Sequence, residues 1–229
     1  MLQEFTIPSP VFRFLALAFM LFLILVTIYN YWYLKSLSKI NYWVLLRPLL
    51  LFSGLFGVFL LVPNTLVRGW FLLLSVFLVS GFEYFLGNFS EQILLLETLT
   101  IAFCFFISFT AYNQYFPVFH SLYVVGVFFT TLLSIRALYE FLPKTENYKN
   151  ISATAISLFC TEIFWALTFL PFHYSALALL LFNVFYFFVI LHYYSTYNIL
   201  NLKKIQFHLL LMVVLVAWTL VFTPWNILS

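Results

Sequence analysis

Residues 173–197 read HYSALALLLFNVFYFFVILHYYSTY, with no Lys, Arg, Glu, Gly or Pro anywhere in the run. At about 1.5 Å per helical residue a run of this length crosses the roughly 30 Å of a bilayer's hydrocarbon, and it is too long for a buried strand. Working outward, comparable runs occupy 11–33, 42–62, 67–87, 92–112, 118–141, 152–170 and 206–223. The breaks between them hold the turn residues: Lys35–Asn41, Pro63–Asn64, Gly87–Glu91, Asn113–Pro117, Pro143–Asn150, Pro171–His173 and Asn198–Lys204. The pattern predicts an all-α chain, a polytopic transmembrane helix bundle of about eight spans. Residues 1–229 then form a single transmembrane domain with no soluble domain beside it.

Composition agrees. Hydrophobic residues make up 65% of the chain and charged residues 7%, against roughly 25% charged in a soluble domain. The first run follows Glu4, Pro8 and Pro10, without a basic leader or a small-residue cleavage site, and is expected to stay as a span. Lys35, Lys39, Arg47, Arg136, Lys144, Lys149, Lys203 and Lys204 gather on one side of the alternating loops, Arg13 and Arg68 on the other. Basic residues stay cytoplasmic, so both termini are expected on the non-cytoplasmic side. The net charge of +3 points to anionic lipid headgroups at the cytoplasmic face and away from nucleic acid.

A shift of 108 residues lays the first four spans over the last four and Pro63 over Pro171. This would make a 4+4 parallel repeat about an axis along the membrane normal. Residue identity under the shift is poor, and evenly spaced runs also overlap by chance.

Any chemistry must come from polar groups inside the runs. An ionisable side chain at mid-membrane costs roughly 2.5–3.5 kcal/mol and needs a partner or water. Glu162 and Asn183 lie at similar distances from the Phe172 turn on neighbouring antiparallel spans, with Trp165 one turn from Glu162. An amide can bond to either form of a carboxyl group. These three form a candidate intramembrane polar site, either a proton-binding or substrate-orienting group or simply interhelical glue. A second candidate layer, about 8 Å inside the cytoplasmic ends, contains Arg47, Glu83, Glu97, Arg136 and His192. It reads as a site for a headgroup, ion or proton, or as a belt of side chains reaching for the interface.

Other polar residues carry less. Cys104 and Cys160 read as small buried hydrophobes, and Tyr193, Tyr194, Tyr197, Trp218 and Trp225 as aromatic-belt positions. His120 and His173 fall at the outer interface and His208 at the inner. No two histidines have the spacing of a metal-binding helix, so no metal is expected, and no catalytic group or cofactor motif stands out. The sequons Asn88-Phe89-Ser90 and Asn150-Ile151-Ser152 lie on the cytoplasmic side, where glycosylation is not expected.

The stretch Glu162-Ile163-Phe164-Trp165-Ala166-Leu167-Thr168-Phe169-Leu170-Pro171, with Tyr186, His192 and Trp225 downstream, resembles uncharacterised multi-span membrane proteins predicted from genomes of candidate-phyla bacteria. The resemblance covers about the last third of the chain. It implies a bacterial cytoplasmic membrane and carries no known activity.

Short loops and few polar groups favour a non-enzymatic subunit or scaffold, with a protein partner or further copies of the chain. The alternatives are a small transporter using Glu162 with Asn183 or the Glu83/Glu97/Arg47 layer, and an intramembrane lipid-modifying enzyme.

Overall fold

The computed structural model of the chain describes residues 42–62, 65–86, 91–140, 149–197 and 199–223, with isolated positions between Phe14 and Trp32. Side chains are described over 46–62, 67–82, 92–140, 150–197 and 199–223. The described residues form seven α-helices: α1 Tyr42–Leu61, α2 Thr65–Leu86, α3 Glu91–Tyr115, α4 His120–Tyr139, α5 Lys149–Leu167, α6 Tyr174–Thr196 and α7 Leu202–Phe222, with a 3-10 turn at Pro117–Phe119 before α4. No strand occurs among them. Five apolar stretches are long enough to cross a membrane: Gln92–Tyr115, Pro117–Tyr139, Asn150–Leu167, Tyr174–Thr196 and Leu202–Phe222. α1 and α2 hold the shorter described stretches Leu46–Leu61 and Val67–Phe82. The run at 11–33 falls largely outside the described residues, so a count of eight does not follow.

Helices are the form this sequence must take in lipid, because a helix satisfies its own backbone and no water is present to do so. The hydroxyls obey the same rule. Ser75 donates to the Phe71 carbonyl, Ser108 to Cys104, Thr131 to Val127 and Ser157 to Ala153, each one turn back at 2.7–2.8 Å. A Ser or Thr closed in this way sits in an apolar interior without a partner on another helix.

Successive helices run antiparallel, and α3 is the hub. It packs most closely on α1, α6 and α4, while α5 lies against α4 and α6, and α7 touches α6 alone at length. Leu94, Ala102 and Phe106 of α3 enter a core with Val127, Ile135, Cys160, Phe164, Leu181 and Phe185. Ile101 and Cys104, on its other side, join Leu51, Phe52, Leu55 and Val79. α1 and α3 run parallel and very close: a Cβ on Gly57 would lie 2.9 Å from the Ser108 Cβ, and one on Gly54 3.0 Å from the Cys104 Cβ. Small residues permit such an approach. The Tyr112 hydroxyl then donates to the Gly57 carbonyl at 3.1 Å.

Four helix ends depart by three residues or more from the sequence reading. α3 continues through Asn113 to Tyr115, α5 starts at Lys149 and stops at Leu167 where the chain turns at 168–170, and α7 starts at Leu202 with Asn201 accepting from the Lys203 amide at 3.4 Å. A 4+4 repeat gains no support. It would give α3 and α7 equivalent places, yet 56% of the apolar window of α3 is buried and 11% of that of α7.

Candidate functional site

Arg47, early in α1, and Glu97, early in α3, start from the same end of the bundle. Their helices are parallel, so the two side chains reach one level and form an ion pair. Arg47 is 2% exposed and Glu97 fully buried, and Leu50, Leu51, Leu94 and Ile101, about one turn away along the same helices, are buried as well. The attraction between the two charges offsets a desolvation penalty of several kcal/mol per ion. The pair ties α1 to α3 below the glycine contact.

The rest of the expected layer divides. Arg136 is half-buried near the end of α4, beside the buried Tyr139. The His192 ring lies on the Tyr139 ring, with centroids 4.2 Å apart, so this histidine belongs with α4 rather than with Glu97. The side chain of Glu83 lies outside the described residues.

The pairing of Glu162 with Asn183 is not formed, and this corrects the sequence reading. The depth is right: Phe159 of α5 meets Phe188 of α6 at 4.9 Å, which puts Glu162 opposite Phe185, near the middle of α6. The rotation is wrong. α5 turns Ala153, Ile156, Cys160 and Phe164 inward, and a residue two past Cys160 lies about 200° round the helix. Glu162 is therefore exposed, Trp165 beside it is 53% exposed, and Asn183 is buried on α6. None of the described residues bonds to Glu162.

Glu162 stands in an ordered row. Ile151, Ala155, Leu158, Glu162 and Trp165 recur every fourth and third residue along α5, and all five are exposed. This is the spacing by which one helix packs along another. Trp165 meets Phe169, in the turn after α5, edge to face at 5.1 Å.

Two polar groupings were missed from sequence. His208 of α7 is buried, its Nδ1 3.0 Å from the Tyr186 hydroxyl and its Nε2 3.1 Å from that of Tyr194, both on α6. A neutral ring has one donor and one acceptor nitrogen, so one tyrosine donates and the other accepts. Tyr194, read from sequence as an aromatic-belt position, is thus a link between α6 and α7. At the opposite end the Gln114 amide donates to the Phe172 carbonyl and accepts from the Tyr174 amide, and Asn113 bonds His120 at 2.8 Å. These side chains explain why α3 runs on through Asn113. A polar side chain flanking a turn was the available signal.

Because α7 buries little besides His208 and Thr219, His208→Phe is expected to lower stability by about 1 kcal/mol, two modest interhelical hydrogen bonds in a membrane. Melting in detergent, with His208→Gln as the partial rescue, checks this.

Among the described residues no cluster of His, Cys or Glu could hold a metal ion. No family model matches the chain, and neither a curated protein nor a solved structure matches it.

Proposed function

We propose that this integral membrane protein is a non-enzymatic subunit of a larger membrane assembly, with the outer row of α5 as the face that receives a partner helix. Glu162 carries the reading. Exposed apolar side chains are what lipid requires, so the bare face of α7 argues nothing. A carboxyl group level with the middle of a neighbouring span is different: left against hydrocarbon it costs roughly 2.5–3.5 kcal/mol, and a donor on a partner helix removes most of that. Its place in a row with helix-packing spacing says how the partner lies. The partner is expected to bring an Arg, Lys or amide to the level of Glu162, since the basic residues of this chain cluster toward span ends.

The outward-facing Glu162 and the Arg47–Glu97 ion pair favour the subunit reading over a small transporter built on Glu162 with Asn183 or on the Glu83/Glu97/Arg47 layer. On the charge bias we place the basic ends of the helices in the cytoplasm and both termini outside it. The resemblance of the last third suggests a bacterial cytoplasmic membrane.

Glu162→Gln, which still donates and accepts, is expected to keep a stoichiometric partner through purification from the native membrane. Glu162→Leu is expected to lose it while melting within about 1 kcal/mol of wild type. Equal recovery with both variants would sink the role of Glu162.

A further inference from the structure

At the end of the bundle away from Lys203 and Lys204, two turns are built inside out. No Lys, Arg, Asp or Glu occurs from Thr98 to Ile135 or from Ile163 to Leu202, so the turns joining α3 to α4 and α5 to α6 carry no such charge. Their polar side chains are occupied with each other. Asn113 bonds His120, His173 bonds Ser175, and the Gln114 amide ties one turn to the other through the Phe172 carbonyl and the Tyr174 amide. The backbone is closed in the same way. The Phe116, Phe119, His120, Thr168, Phe169 and Leu170 amides each donate to a carbonyl three or four residues back, and Pro117 and Pro171 have no amide hydrogen to satisfy. The side chains left outside are apolar or aromatic: Tyr115, Val118, Phe119, Leu122, Phe169 and Leu170 are all exposed, Val118 by 90%.

A turn that stands in water does the reverse, offering it polar side chains and open backbone groups. The turn from α6 to α7, at the other end, exposes Asn201, Lys203 and Lys204. Length fixes the depth. The 25 residues of α3 extend about 37 Å at 1.5 Å each, more than the roughly 30 Å of hydrocarbon and less than the 40–45 Å that includes the headgroups. α3 therefore delivers its outer turn to the interfacial layer, where aromatic side chains concentrate and irregular backbone is tolerated. We propose that the two joined turns are a lipid-binding surface that seats the bundle in that layer, with Val118, Phe119, Phe169 and Leu170 among glycerol groups and upper acyl chains. A water-borne protein partner fits this surface less well, because protein interfaces carry a polar rim and direct hydrogen bonds, and the polar groups named here are already turned inward. The surface goes beyond the subunit reading and does not rest on it, since both turns lie past the helix ends and Glu162 lies within α5.

The test is spin labelling of the full chain in phosphatidylcholine vesicles, with single cysteines at Val118 and Leu170 in a Cys104→Ala, Cys160→Ala background. Collisions with oxygen, which concentrates in lipid, are compared with those of a water-soluble nickel chelate. Lys203 is the water control and Val213, on the exposed face of α7, the lipid control. The ratio of oxygen to nickel collisions at Val118 and Leu170 is expected severalfold above that at Lys203 and below that at Val213. Melting of each labelled chain shows that it is folded, and the two positions, on separate turns, report independently. A ratio equal to that at Lys203 would place the turns in water. Protection from both reagents would mean that protein, another chain or this chain's own ends, covers them. Either result would overturn the proposal.

Discussion

Replacing Arg47 by Ala is expected to cost about 3–5 kcal/mol, the effect of leaving one member of a buried ion pair uncompensated. Glu97, its partner in the ion pair, is fully buried. Arg47→Lys keeps the charge on a narrower head and is expected to fall between wild type and Arg47→Ala. Removing both charges is the sharper experiment. Arg47→Met with Glu97→Leu fills the same space without ions, and such exchanges elsewhere are neutral or stabilising. The double variant should therefore melt well above Arg47→Ala. If the single and double variants melt alike, the loss comes from packing at Arg47 rather than from a stranded charge.

Gly57→Leu is expected to be nearly as damaging. A Cβ there would already press on the Ser108 side chain, and a full leucine must separate α1 from α3 or turn aside at about 1–3 kcal/mol for overpacking. Separation also pulls the Gly57 carbonyl from the Tyr112 hydroxyl and strains the ion pair one helical stretch below. Gly57→Ala combined with Ser108→Gly returns much of the room and should recover most of the loss. Gly69 is the control: a Cβ there meets nothing within 4 Å, and Gly69→Ala should melt like wild type or slightly above it.

Depth was legible in this sequence and rotation was not. Counting from turns placed Arg47 and Glu97 at one level, and likewise Glu162 and Asn183. On α1 and α3 the level sufficed, because both charges also turn inward. On α5 it did not, since Glu162 points away from the core that Cys160 and Phe164 enter. A soluble helix reveals its buried face by an apolar stripe. Here leucine, valine and phenylalanine surround each helix, so lipid-facing and core-facing sides look alike. Clues to rotation lie in small and polar residues. Gly54 and Gly57 mark the contact with α3, and His208 marks the side of α7 that meets Tyr186 and Tyr194. The hub role of α3 follows from which helices it touches, and nothing in the length or apolarity of its run distinguishes it.

The subunit reading stands or falls on what lies against α5 in the native membrane. A photoactivatable phenylalanine analogue at Leu158 or Trp165 reports this directly, with Val213 on the exposed face of α7 as the control. The expected result is a discrete crosslinked protein product from Leu158 and Trp165, abolished by Glu162→Leu, with Val213 labelling lipid. Lipid labelling alone from all three positions would contradict it.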